Sequence, residues 1–190
     1  MACYSYRNPH LVADIARTID HVSAGRFILG LGSGWFRRDY DEYGYEFGTA
    51  GSRLRHLERN LPEIGQRLRS LNPPPVRPMP IMIAGTGELI TLRLVARHAN
   101  SWHAAFPDRP EELVPKVEAL RRWCQVERRA PDEIERGVGV DSDDVHRFLV
   151  DDADAYVKLG LTQFTLGSNG PAWPVATGAE WLDWRDEVNR

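Results

Sequence analysis

Apolar positions along this chain alternate between two rhythms. Leu11, Ile15, Ile19 and Val22 recur at helical spacing between Asn8-Pro9, a good N-cap followed by proline at the first helical position, and Gly25. They predict a helix of about four turns, which delivers the chain into a strand over residues 26 to 31. After a glycine loop, Ser52 is placed to cap a second helix whose stripe is Leu54, Leu57, Leu61, Ile64, Leu68 and Leu71, with a kink expected at Pro62. The stretch "NPPPVRPMP" stops that helix and feeds "IMIAGTGE", a short apolar strand ending in glycines. The alternation continues: helix over 88–99, strand in "NSWHAAF", helix over 110–128 opened by Pro110, and strand in "RGVGVDS". Then come a helix in "DADAYVKLG" closed by Gly160, a strand in "LTQFTLGS" and a terminal helix in "AEWLDWRDEVN".

Strands that alternate with helices and end in small residues argue for an α/β fold with a parallel sheet and ligand chemistry at the strands' C-terminal ends. A dinucleotide fold wants G-x-G-x-x-G, but "GLGSGW" puts Trp35 at the last glycine position, and neither glycine loop carries the Gly-Lys-Ser/Thr of a P-loop. A (β/α)8 TIM barrel survives, yet only five strands are clear, and residues 2 to 6 are at most the tail of a sixth. The expectation is an incomplete barrel of five to six strands forming one domain over residues 1–190.

Composition narrows the classes. With 42% hydrophobic and 27% charged residues the chain can bury a core, and its net charge of -3 gives no general attraction to nucleic acid or anionic lipid. No apolar run approaches the roughly 20 residues of a membrane span and no basic region precedes an apolar core at the N-terminus, so a cytoplasmic location is expected. Cys3 and Cys124 are far apart and form no CxxC pair, which predicts reduced thiols and no structural zinc.

Candidate chemistry sits at the strand ends. Gly30, Gly32 and Gly34 would let the backbone lie close under a flat ligand, with Trp35 and Phe36 as an apolar wall. Trp102 and His103 end a strand where a barrel places its active site, and His103 is the proton-transfer candidate because histidine titrates near neutrality. The remaining histidines show no metal spacing; His21 and His98 sit in last helical turns, where partial positive charge is favourable. Asp141, Asp143 and Asp144 read as a helix cap. The run Arg53, Arg55, Arg59, Arg67 and Arg69 reads first as the wet side of its helix.

The segment "YRNPHLVADIARTIDHVSAGRFILGLGSGWFRRDYDEYGYEF", followed by "PIMIAGTGELITLRLVARHANSWH", resembles the luciferase-like monooxygenase superfamily, in particular its F420-dependent oxidoreductases. The resemblance implies a (β/α)8 barrel that binds F420 or FMN at its C-terminal end, and a chain that starts at the end of the third strand and lacks the first two βα units. It implies that Gly32, Ser33, Gly34 and Trp35 border the cofactor. Ala84, Gly85, Thr86 and Gly87 would hold its phosphate and Trp102 would be a further cofactor contact, while Glu88, whose carboxylate repels phosphate, is expected to point away. The implied activity is hydride transfer between F420 and a small organic substrate. FMN-dependent monooxygenation, or a non-catalytic flavin- or deazaflavin-binding remnant, stands as the alternative. On the same resemblance the arginine run has a secondary reading as a landing face for the polyanionic F420 tail. Cutting five or six strands from a barrel also predicts a homodimer or edge-mediated self-association.

Overall fold

The computed structural model describes residues 1–168 and 175–190. Short apolar segments bounded by glycine, proline or polar turns form six strands: β1 (Ala2–Cys3), β2 (Leu29–Gly32), β3 (Ile81–Ala84), β4 (Ser101–His103), β5 (Glu135–Asp141) and β6 (Gln163–Gly167). Every pairing is parallel and the spatial order is the sequence order, β1-β2-β3-β4-β5-β6. Sequential parallel strands joined by helical crossovers are an arc of a (β/α)8 barrel. The tail expected over residues 2 to 6 is the two-residue β1.

The crossovers are α1 (Pro9–Val22), α2 (Arg37–Tyr43) with α3 (Ala50–Ser70), α4 (Thr91–His98), α5 (Val114–Val126), and α6 (Val145–Arg147) running through a π-turn into α7 (Ala153–Lys158); α8 (Val175–Val188) follows β6. The helices cover one face of the sheet. There Leu29, Leu31, Ile83, Trp102, Val138 and Val140 join one buried cluster with Leu57, Leu61 and Ile64 of α3, Leu92 and Val95 of α4, and Leu120 of α5. At the β6 end, Phe148, Phe164, Trp181 and Trp184 pack ring against ring.

Several local expectations are corrected. In α1 the large residues Leu11, Ile15, Ile19 and Val22 are exposed, from 40% to 85%, whereas Val12, Ala13, Ala16 and Asp20 are buried. The small face wins because α1 lies close against α3, where Arg67 grips Asp14 through two hydrogen bonds, 2.8 and 3.0 Å. In α3 the cap is Thr49, and Ser52 is its reciprocal partner in a capping box. One helix continues through Pro62. The seven-residue α2 was not anticipated, its charged sequence RRDYDEY burying only Tyr40. His98 is half-buried, and desolvation, then the Arg97 charge, lowers its pKa below the ordinary 6.5.

Among the described residues, no helix is long and apolar enough to cross a membrane.

Candidate active site at the strand ends

Side chains alternate across a strand, so the register fixes which residues share the face the helices leave open. Gly30, Gly32, Met82, Ala84, Ser101, His103, Gly137, Gly139, Gln163, Thr165 and Gly167 lie there, alternating with the buried residues of the helix-covered face. That surface is small and polar, unlike the branched layers that fill a closed barrel core. Met1 lies along it: a Cβ on Gly30 would meet Met1 Cγ at 3.4 Å, and one on Gly32 would meet Met1 Sδ at 3.7 Å.

Around Gly34 the loop after β2 is held by the protein itself. Gly34 has φ +84°, and a Cβ there would run into Tyr40 Oη and sit 2.7 Å from Cys3 Sγ. Tyr40 Oη donates to Ser33 O at 3.3 Å, and Arg53 Nε donates to Gly34 O at 3.0 Å. The glycine at 34 thus answers to packing behind the loop. Trp35 is 81% exposed and touches Phe36, ring centroids 5.2 Å apart, so an apolar pair stands free at the strand end.

After β3, Gly85 adopts φ +120°, its N–H donating to His103 O at 3.1 Å and its carbonyl accepting from Trp102 Nε1 at 2.8 Å. Trp102 is fully buried on the helix-covered face. It therefore sits behind the loop and fixes its shape, instead of lining the open face beside His103. Hypothetical Cβ atoms on Gly85 and Gly87 would meet Thr91 at 3.2 and 2.9 Å. These glycines let the loop fold over α4, at whose N-terminus no side chain caps the helix. Gly87 O accepts from Leu92 N–H there at 3.0 Å, and the positive dipole end, with no side chain over it, suits an anion. Glu88 does not oppose this: Lys116 Nζ donates to its carboxylate at 2.7 Å and holds its pKa below the ordinary carboxylate range.

His103 is nearly buried, paired in register with Ala84 on one side and Gly137 on the other. Ala105 N–H donates to His103 Nδ1 at 3.2 Å, so the neutral ring carries its proton on Nε2 and presents a donor. Burial, then the Met1 ammonium, pushes its pKa below 6.5. Ala105 has φ +59°, an uncommon conformation for alanine. Next to it Phe106 packs 6.4 Å from the His103 ring and against the Cβ positions of Gly139 and Gly167. Sequence reasoning passed over Phe106, although an aromatic directly after "SWHAA" was the available signal.

The folded protein favours neutral His103 and His98, so the unfolded chain binds more protons just below pH 6.5. Stability is expected to be full above the ordinary value of 6.5 and to fall as pH drops through the lowered folded values. Urea midpoints measured between about pH 7.5 and 5.5 should decline, and the decline should flatten in His98→Gln/His103→Gln.

Asp141 accepts from Asp143 N at 3.1 Å and caps the turn Ser142–Asp144, as expected of acids after a strand. Among the described residues no group of three His, Cys, Asp or Glu side chains is placed to hold a metal.

The family model described as luciferase-like monooxygenase matches residues 1–141. Many solved structures share the fold, among them the following three. An F420-dependent secondary alcohol dehydrogenase in complex with an F420-acetone adduct superposes with TM-score 0.70 at 13% identity, over 87% of this chain and 71% of that one. Monooxygenase RslO1 from Streptomyces bottropensis gives 0.72 at 13% identity, over 96% and 74%. Riboflavin lyase RcaE with modified FMN and substrate riboflavin gives 0.61 at 14% identity, over 81% and 44%, so this chain spans less than half of that structure's length. No curated protein matches the sequence.

Proposed function

Because the chain belongs to the luciferase-like monooxygenase family, we propose that it binds a deazaflavin or flavin at the C-terminal ends of β2 to β4 and serves hydride transfer between F420 and a small organic substrate. The observation that carries this reading is the junction of three features at one edge. The glycine loop 84–87 leads into a helix N-terminus that no side chain caps, it is tied by Gly85 N–H to His103, and the open face beside it is lined by small residues. In this reading the N–H groups of Thr86 and Gly87 hold the phosphate, while Ala84 and Gly85, the latter's N–H being spent on His103 O, shape the loop around it. Gly32, Ser33 and Gly34 set the level of the neighbouring loop, and Trp35 closes the apolar side. His103 contributes the Nε2–H donor; acting as a base would require its Nδ1 to give up the Ala105 bond. Bound there, F420 would supply the hydride chemistry and FMN oxygen chemistry, the protein contributing orientation and proton donation.

Val at Gly85 or Gly87 would strike Thr91 whatever is bound, so the informative substitution is Thr86→Asp, which sets a negative charge on the loop. With the fold checked by circular dichroism, F420 and FMN affinities are expected to fall about tenfold or more, the ~1.4 kcal/mol expected from one charge repulsion. Equal affinities for wild type and variant would remove the phosphate assignment. Tight FMN binding without F420 binding would move the function to FMN-dependent monooxygenation. Cofactor binding without turnover in any oxidoreductase assay would leave a binding remnant, the reading that His103's occupied Nδ1 favours.

Self-association belongs to the same proposal. Among the described residues β1 pairs only with β2 and β6 only with β5, and the α1 stripe exposes four large apolar side chains. Sedimentation at low micromolar concentration is expected to show species heavier than 21.6 kDa, and Ile15→Lys/Ile19→Lys to reduce them. A compact monomer with a cooperative melt would contradict it.

A further inference from the structure

The arginines of α3 fall into two sets. Arg53 donates to the carbonyls of Gly34 and Phe47, both at 3.0 Å, and Arg67 is spent on Asp14. Arg55 and Arg59 have no carboxylate partner among the described residues, while Glu58 between them is taken by Arg93 at 2.6 Å. Residues four apart on a helix are neighbours on one face, with Cβ atoms about 5–6 Å apart. Arg55 and Arg59 are such a pair. Together with Arg53, His56, Ser52 and Ser5 they line a recess of about 420 Å3 between the turn after β1, the segment 45–48 and the start of α3. One carboxylate, Glu46, shares the lining, against three guanidinium groups. In a chain of net charge -3 this is a local concentration of positive charge. The helix amides do not create it, since the Thr49–Ser52 capping box already closes the N-terminus of α3.

We propose that this recess binds a small organic dianion, its two anionic groups held by Arg55 and Arg59 one helical turn apart, with His56 and Ser52 as flanking polar groups. The volume is that of a small-molecule site. Guanidinium forks bind carboxylate or phosphate in the same geometry, so the ligand chemistry is two carboxylates, or a phosphate and a carboxylate. Ser5 Oγ donates to Ser33 O at 3.4 Å, which joins the recess to the loop after β2. An anion held here lies beside the proposed cofactor loop, and its charges belong either to a substrate or to the cofactor's own tail. This assignment stands on the arginine pair and the recess, and it holds whether or not the chain is an oxidoreductase.

Isothermal titration of the full chain at low salt with succinate and with inorganic pyrophosphate tests it. At least one probe is expected to bind saturably with Kd about 1 mM or tighter, and Arg55→Glu/Arg59→Glu to weaken it at least tenfold, while Arg69→Glu on the same helix leaves it unchanged. Should the double reversal fail to fold, Arg55→Gln and Arg59→Gln are expected each to weaken binding severalfold. F420 and FMN titrated against the same proteins separate the sources: a parallel loss assigns the anionic groups to the cofactor, and unchanged cofactor affinity assigns them to a substrate. No saturable binding of either probe up to about 10 mM, or binding indifferent to both arginines, overturns the proposal.

Discussion

Trp102→Ala is expected to destabilise the fold by about 3–5 kcal/mol and to loosen the loop after β3 at the same time. The ring is wholly buried against the helix layer, so truncation opens a cavity in the central cluster. Against a total stability of about 5–15 kcal/mol that loss brings the chain near unfolding. The indole also anchors Gly85 O through a 2.8 Å hydrogen bond, and Trp102→Phe separates the two effects. It should cost only about 1–2 kcal/mol, most of it from the released carbonyl, yet still weaken cofactor binding. Chemical denaturation and cofactor titration on both variants make the comparison. Wild-type affinity in a folded Trp102→Phe would show that the loop needs no support from behind.

A comparable loss is expected from one methyl group at Gly34. The backbone there is left-handed at φ +84°, and the added Cβ would overlap Tyr40 Oη and press on Cys3 Sγ. Strain and overpacking together place Gly34→Ala at about 2–4 kcal/mol. Tyr40→Phe removes the obstructing hydroxyl at the modest cost of its bonds to Ser33 O and Cys3 Sγ. In the double variant Gly34→Ala/Tyr40→Phe, part of the lost stability should return, a non-additivity read from urea midpoints. Strict additivity would mean that the φ alone, and not the Tyr40 contact, demands glycine.

The order of strands and helices was legible because glycine and proline punctuate almost every boundary and the apolar runs are short. The face of a helix was not. In α1 the large residues Leu11, Ile15 and Ile19 outshine Ala13 and Ala16 in any hydrophobic count, yet a helix that packs close to its neighbour buries small side chains. Thr49 and Ser52 could both read as caps from sequence; only the reciprocal hydrogen bonds tell them apart. Trp102 and His103 are consecutive strand residues and point to opposite faces, which puts the buried indole behind the loop after β3 and His103 on the open face. The opposite case is Gly34, whose reason lies in Tyr40 and Cys3, contacts that no local pattern announces. In the arginine run, which cations are spent on Asp14 or on carbonyls and which remain unpaired depends on chain crossings far apart in sequence.

The central claim is that a flavin or deazaflavin seats on the two loops after β2 and β3. Amide hydrogen exchange of the full chain, with and without saturating F420 or FMN, tests it most directly because it reports position as well as binding. The account predicts slowed exchange over residues 85–90 and 32–36, with α5 unchanged. Saturable binding that leaves both loops unprotected, or protection confined to other elements, would contradict it.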